Sequence, residues 1–133
     1  MKEKDKTSPK IFLSYAAQDV EFVHELRWAL AAAPDLQIFS TDKLSAGEDW
    51  VSRLKSELSS SDIFIMILTP NSVESPWVLQ ELGAAWGLKK SIFIVYTDVR
   101  LVSRLPVSLN QEQLVDIKNI QNLEFFTTIL TAA

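Results

Sequence analysis

Three short segments of the chain are continuously apolar, and each predicts a β-strand. The segments are Ile11–Leu13, Ile63–Leu68 and Ile92–Tyr96, and unbroken apolar runs of this length are typical of strands buried on both faces of a parallel sheet. Two further segments, Leu36–Phe39 and Val115–Ile117, alternate between apolar and polar residues. Because alternation suits a strand with one less covered face, we expect these two at the edges of the sheet.

Helical spacing between the strands predicts four helices. The first follows Asp19, which fits an N-cap, and the second begins at Trp50. Ser75, followed directly by a proline, predicts the N-cap and the first residue of the third helix. The last helix is predicted over Ile120–Leu130. Two tryptophans that lie on apolar helical stripes are expected in the core, Trp28 and Trp86.

Strands that alternate with helices predict an α/β fold with a doubly wound, flavodoxin-like parallel sheet of five strands. Strand order 2-1-3-4-5 places the three most apolar strands in the middle and the two alternating strands at the edges. In such sheets the ligand binds at the carboxyl ends of the strands, beside the first and third. The candidate binding segments are therefore Ser14–Gln18, Thr41–Asp49 and Pro70–Trp77.

Composition and charge are typical of a soluble globular protein and exclude several classes of function. The chain has 133 residues, of which 47% are hydrophobic and 23% charged, and it has no cysteine. Disulfide scaffolds and Cys-ligated zinc are therefore excluded. The net charge is −4, which argues against a nucleic-acid partner because phosphate contacts need clustered basic residues. No apolar run approaches the roughly 20 residues of a membrane span, so we expect a cytoplasmic protein with no membrane partner in this segment.

The length predicts a single domain. Residues 1–9 carry alternating lysines and acidic residues and are expected to form a flexible basic lead-in. Residues 10–133 are expected to form the domain. The chain ends directly after a predicted helix, which is also compatible with 10–133 being the N-terminal part of a longer protein that continues into a sensor domain.

Several common active-site chemistries lack the residues they need. Three glycines are too few for a Walker A or dinucleotide-binding loop. His24 is the single histidine, so a transition-metal site would rest on carboxylates, and we expect no metal site. A response-regulator receiver shares the strand order but needs acidic residues where Ser14-Tyr15 and Thr69-Pro70 stand.

One constellation of side chains remains at the predicted binding edge. Trp77 and Glu81 are four residues apart, so they share one face of the third helix. Glu81 beside an aromatic surface suits cleavage of an N-glycosidic bond, because the ribosyl transition state is cation-like and needs a nearby negative charge. The alternative is that Trp77 belongs to the core and Glu81 to the surface. The further residues of this candidate site are Ser14, Tyr15, Asp42 and Trp50.

Four segments in this order resemble the sequence boxes of Toll/interleukin-receptor (TIR) domains. Lys10–Tyr15 is similar to their opening box, and Lys43–Trp50 resembles their BB loop running into the next helix. Ser61–Ser72 is similar to their third-strand box, and Ser75–Leu82 resembles the helix that carries their catalytic glutamate. The resemblance covers about Lys10–Leu130 and is closest to the prokaryotic, NAD-cleaving type.

The resemblance implies an NAD⁺ nucleosidase that breaks the nicotinamide–ribose bond. The products would be nicotinamide with ADP-ribose or a cyclic ADP-ribose isomer. Glu81 corresponds to the catalytic carboxylate, Trp77 to a residue lining the nicotinamide-ribose pocket, and Trp50 to an aromatic at the nicotinamide end. Asp42 and Lys43 stand in the BB loop. NAD⁺ is the substrate in this interpretation, and no cofactor is implied.

The resemblance is incomplete at two places. Ala16 and Ala17 stand where some members have a basic residue, and Gln80 stands where some have an aromatic. These departures leave the substrate affinity and the choice between linear and cyclic product open.

Two other functions remain open at the level of sequence: a non-catalytic scaffold acting through contacts between TIR domains, and a nucleoside deoxyribosyltransferase-like enzyme. The resemblance also implies a role in immune or defence signalling, with other TIR domains as partners. In the family the BB loop, here Thr41–Asp49, shifts when domains stack head to tail and a neighbouring domain completes the substrate site. We therefore expect activity to rise with self-association.

Overall fold

The computed structural model describes residues 9–31, 35–41 and 49–132, which form a β-sheet with helices on both faces. The strands are β1 (Lys10–Ser14), β2 (Gln37–Phe39), β3 (Ile63–Leu68), β4 (Ser91–Tyr96) and β5 (Leu114–Asp116). The α-helices are α1 (Val20–Leu30), α2 (Trp50–Ser60), α3 (Pro76–Gly87) and α4 (Leu123–Ala132). Short 3₁₀ helices cover Ala17–Asp19, Ser72–Glu74, Val99–Arg104, Gln111–Gln113 and Ile117–Asn119.

The five strands are parallel and lie in the order β2-β1-β3-β4-β5, which confirms the predicted doubly wound sheet. In the register of β1, Phe12 lies opposite Phe39 on β2 and Phe64 on β3, and Ser14 lies opposite Met66. Because all strands run in the same direction, their carboxyl ends share one edge of the sheet. Ser14 is the last residue of β1 at that edge.

Alternate residues of each strand point to opposite faces of the sheet, so the fold has two cores. All six residues of β3 are buried, which explains why that segment is continuously apolar. One core joins the sheet to α1 and α4 and includes Leu13, Ile65, Val95, Leu26 and Ile129. The other core joins the sheet to α2 and α3 and includes Phe12, Phe64, Ile94, Leu58 and Leu82.

The start of α3 is fixed by local chemistry that the sequence already contains. The Ser75 side chain accepts a hydrogen bond from the backbone N–H of Val78 at 3.3 Å, and Pro76 occupies the first helical position. An N-cap of this kind satisfies a backbone donor that the helix itself leaves free. Because α3 begins at the carboxyl edge of the sheet, its first turns lie beside the end of β1.

The predicted core positions of two tryptophans are wrong. Trp28 is 76% exposed and Trp86 is 51% exposed. The buried positions of α1 near Trp28 are Leu26 and Leu30, and a residue two positions from each lies on the opposite side of a helix with 3.6 residues per turn. Trp86 stands in the last turn of α3, one residue beyond the buried Ala85.

The remaining elements follow the sequence prediction with small shifts at their ends. The segment from Asp98 to Asn110, which joins β4 to the next 3₁₀ helix, contains the 3₁₀ helix Val99–Arg104. The last helix begins at Leu123, three residues later than predicted. Within the part of the chain that the structure describes, no helix has the length and apolar character that crossing a membrane requires.

Candidate functional site

A cleft of about 990 Å³ opens at the carboxyl edge of the sheet. It lies between the turn after β1, the segment after β3 and the beginnings of α2 and α3. This is the position that the reversal of strand order predicts for a ligand. The described residues that line it include Tyr15, Thr41, Trp50, Asn71, Ser75 and Trp77.

Behind this lining, Ser14 and Glu81 form a buried pair. The Ser14 hydroxyl donates a hydrogen bond to Oε1 of Glu81 at 2.5 Å. Ser14 is 1% exposed and Glu81 is 3% exposed. The other carboxylate oxygen, Oε2, has no hydrogen-bond partner among the described residues. A buried polar atom without a partner costs free energy, so this oxygen marks a place where stability was not maximised.

The environment of Glu81 brings its titration into the neutral range. Burial raises the pKa of Glu81 to about 7, because the charged carboxylate loses its contact with water. The hydrogen bond from Ser14 lowers the pKa and opposes part of this effect. The indole N–H of Trp77 also interacts with the carboxylate as a hydrogen-bond donor and lowers the pKa, but this contact lacks the distance and angle of a well-formed hydrogen bond, so Oε2 has no partner of good geometry among the described residues. Both the charged and the neutral form of Glu81 are therefore populated near pH 7.

Two tryptophans form the aromatic wall of the cleft. The ring centroids of Trp50 and Trp77 are 5.6 Å apart with an interplanar angle of 59°, a tilted arrangement that is favourable for aromatic pairs. Trp50 is 47% exposed and Trp77 is half-buried. Trp50 therefore does not belong to the core, although it shares its helical spacing with the apolar Leu54 and Leu58. The wall offers flat apolar surface on which a planar ring could stack.

A second buried carboxylate, Asp19, joins two of the segments that border the cleft. Asp19 is 4% exposed, and its Oδ2 accepts a hydrogen bond from the Thr69 hydroxyl at 2.5 Å. Its Oδ1 accepts one from the side-chain amide of Asn71 at 2.9 Å. These bonds tie the turn after β1 to the segment after β3. Asp19 precedes α1, as the sequence predicts, but its side chain does not cap that helix.

The structure brings together five of the seven residues proposed from the sequence. Tyr15, Trp50 and Trp77 line the cleft. Ser14 and Glu81 are bonded to each other one layer behind it. The other two, Asp42 and Lys43, lie outside the described residues.

Sequence reasoning missed the Asp19 network, including the bonds from Thr69 and Asn71. The signal available was the polar pair itself, a threonine and an asparagine directly after the most buried strand. Residues at that position face the ligand crevice of a doubly wound fold. The sequence did not show which residue accepts these hydrogen bonds, because Asp19 is 50 residues away from Thr69.

The charges around the cleft constrain what it can bind. None of the described residues that line it is basic, and Glu74 is acidic. Glu74 forms an ion pair with Arg104 at 3.2 Å on the exposed side. The arrangement of aromatic surface, hydroxyl groups and one buried carboxylate suits a ring-containing ligand that develops positive charge during reaction.

A family model for TIR domains matches residues 11–129 of the sequence. The chain belongs to the TIR-domain family. The matched region contains every strand of the sheet except the first residue of β1, together with Ser14, Trp77 and Glu81. Among curated protein sequences, none is significantly similar to this TIR domain.

Two solved structures share the fold of this TIR domain. The crystal structure of the TIR domain of the Toll-related receptor TRR-2 from the lower metazoan Hydra magnipapillata superposes with a TM-score of 0.64 and 16% identity, over 91% of this chain and 94% of that one. The TIR domains in the activated Roq1 resistosome, which directly recognizes the pathogen effector XopQ, give a TM-score of 0.62 and 21% identity, over 92% of this chain and 73% of that one. At these identities the similarity establishes the fold alone.

Proposed function

We propose that this TIR domain is an NAD⁺ nucleosidase in which Glu81 is the catalytic carboxylate. The observation that carries the proposal is the buried Glu81 side chain, with one oxygen held by Ser14 and the other without a partner among the described residues. It lies one helical turn from Trp77 in the cleft wall. Its pKa of about 7 leaves a large charged fraction at neutral pH.

The proposed reaction uses that charge on the ribose. The bond between C1′ of the ribose and the nicotinamide nitrogen breaks, and its electron pair leaves with neutral nicotinamide. C1′ then carries positive charge shared with the ring oxygen, which the Glu81 carboxylate stabilises. Water adds to C1′ and loses a proton, giving ADP-ribose. If a nucleophilic atom elsewhere in the same molecule adds instead, the product is a cyclic isomer.

The cleft lining supports a division of roles for the other residues. Trp77 and Trp50 would provide stacking surface at the nicotinamide end, and Tyr15 would hydrogen-bond the ribose. The diphosphate of NAD⁺ needs a countercharge, which the described lining lacks. Lys43 is the basic residue nearest in sequence to Thr41 of the cleft, and we propose that it pairs with the diphosphate, with Asp42 beside it.

The first test is incubation of the purified domain with NAD⁺ and identification of the products by chromatography and mass spectrometry. Release of nicotinamide with ADP-ribose or a cyclic isomer is expected. A parallel incubation with deoxynucleosides and free bases tests the deoxyribosyltransferase alternative, which predicts base exchange. A folded sample that leaves NAD⁺ intact at every concentration tested favours the scaffold function.

We further propose that the domain works in immune or defence signalling inside the cytoplasm and is activated by self-association with other TIR domains. The burial of Glu81 supports this, because a carboxylate that is 3% exposed needs a rearrangement before it can meet a ribose. Specific activity should then rise with protein concentration and with a crowding agent, in step with light scattering. Constant specific activity from a monomeric sample contradicts activation by assembly.

A further inference from the structure

Ser14 is held in place both by its backbone and by its side chain. Its backbone belongs to β1 and pairs in register with Met66 of β3. Even-numbered residues of β1, such as Phe12, face the core under α2 and α3, so Ser14 faces α3 as well. There the hydroxyl meets Oε1 of Glu81 at 2.5 Å, with both residues almost completely buried. The sheet therefore sets the position of the hydroxyl and, through it, the rotation of the carboxylate.

We propose that Ser14 is a positioning residue that gives the two oxygens of Glu81 different functions. Oε1 is occupied by Ser14 and orients the carboxylate, while Oε2 is kept without a protein partner to meet the ribose of the substrate. This inference rests on the proposed nucleosidase function and deepens it. It also changes the role of Ser14, which the sequence suggested as a residue binding the substrate directly.

The hydroxyl also supports the charged form of the carboxylate. A hydrogen bond donated to a carboxylate favours ionisation, and Ser14 lowers the pKa of Glu81 against the opposing effect of burial. Losing the hydroxyl should therefore raise the pKa of Glu81 further. The proposal predicts that Ser14 affects the geometry and the titration of Glu81 together.

Charged and titratable groups on the neighbouring elements do not explain the raised pKa of Glu81. Asp19, after β1, is bonded to Thr69 and Asn71. Arg53 on α2 pairs with Glu57, and Glu74 before α3 pairs with Arg104. None of these groups, nor Tyr15, contributes to the pKa of Glu81, which follows from burial, Ser14 and Trp77.

The experiment compares wild-type protein with Ser14→Ala by two measurements. The first follows the carboxyl ¹³C signal of Glu81 with pH by NMR, assigned by its absence in Glu81→Gln. The midpoint should move from about 7 to about one to two pH units higher, the value expected for loss of one hydrogen bond to a charged group. The second is NAD⁺ cleavage, in which kcat should fall by up to about 100-fold with a smaller change in KM. The rise of activity with pH should shift upward with the midpoint.

Two further variants separate positioning from stability. Ser61→Ala removes another buried serine hydroxyl, which donates to the Glu57 carbonyl at 2.6 Å, and should lower the melting temperature without moving either pH profile. Ser14→Cys keeps a side chain of similar shape with a weaker donor and should give an intermediate midpoint, which provides the test if Ser14→Ala does not fold.

An unchanged Glu81 midpoint in folded Ser14→Ala or Ser14→Cys overturns the inference. The same holds if Ser61→Ala shifts the midpoint equally. If wild-type protein releases no nicotinamide but the midpoint moves as expected, the proposed reaction is wrong and the positioning of Glu81 by Ser14 stands.

Discussion

Asp19 and Glu81 are two carboxylates at the same edge of the sheet, buried to nearly the same extent, and bonded in different ways. Asp19 is 4% exposed and Glu81 is 3% exposed. Both oxygens of Asp19 accept hydrogen bonds, from Thr69 and Asn71. Only one oxygen of Glu81 has a partner among the described residues, the hydroxyl of Ser14. The two carboxylates are therefore equally buried but differ in how many of their oxygens accept a hydrogen bond.

The difference separates a structural carboxylate from a candidate catalytic one. A buried carboxylate with a donor on each oxygen is stable when ionised and holds its neighbours in place. A buried carboxylate with one free oxygen is energetically costly when ionised, and its pKa is raised accordingly. Groups with perturbed titration in or beside a cleft are candidates for chemistry. The comparison can be tested by changing each carboxylate in turn.

The largest expected effect is on activity in Glu81→Gln. The amide has nearly the same shape but cannot carry the negative charge that the proposed transition state needs. We expect NAD⁺ cleavage to fall by at least about 10²–10³-fold, as measured by nicotinamide release at pH 8. Circular dichroism and thermal melting should show a folded protein. A folded Glu81→Gln protein with wild-type turnover contradicts the catalytic assignment.

The second effect is on the pH dependence of stability. The pKa of Glu81 rises from 4.5 to about 7 on folding, so the folded state binds more protons than the unfolded state between these values. Glu81 therefore contributes roughly 3 kcal/mol to the free energy of unfolding below pH 4.5, and this contribution is lost as the pH rises through 7. Chemical denaturation at pH 4.5, 6 and 8 should show this loss relative to Glu81→Gln. Parallel stability curves for the two proteins mean that burial does not perturb Glu81.

The third effect is on the stability of Asp19→Asn. The amide nitrogen puts a donor in place of one of the two oxygens that accept from Thr69 and Asn71, so one of these hydrogen bonds is lost and the free energy of unfolding should fall by about 2–3 kcal/mol. Urea denaturation at pH 8 measures this change. Glu81→Gln is the matched control and should be at least as stable as wild type at that pH. If the two substitutions change stability equally, the distinction between the two carboxylates is wrong.

The smallest effect concerns the aromatic wall beside Glu81. Trp77→Ala removes stacking surface worth roughly 1–3 kcal/mol. This loss should lower kcat/KM by about 5- to 150-fold. Trp50→Ala should have a weaker effect on stability than Trp77→Ala, because Trp50 is 47% exposed and Trp77 is half-buried. Melting curves beside the NAD⁺ assay separate binding from folding. A Trp77→Ala protein that melts and cleaves like wild type removes Trp77 from both the site and the core.

The sequence predicted the sheet well, and it predicted the cleft positions of Trp50 and Trp77 but not the exposure of Trp28 and Trp86. The continuous apolar run of β3 and the alternation in β2 and β5 were enough to place each strand, because strand burial has a period of two residues. The helical stripe of apolar residues that contains Trp28 predicts a core position, but the angular position of Trp28 on α1 turns its side chain to solvent. Apolar character alone did not decide which face of the helix was covered.

By itself, the sequence determined the strand order, the edge of the sheet that carries the cleft, and the face of α3 that carries Trp77 and Glu81. These features depend on local repeats and on caps within a few residues. Only the tertiary structure decided that Ser14 bonds to Glu81 across 67 residues and that Asp19 bonds to Thr69 across 50. Hydrogen bonding depends on distances of a few tenths of an ångström, and desolvation depends on every element packed around the group. Both quantities arise only when β1, β3 and α3 are packed together.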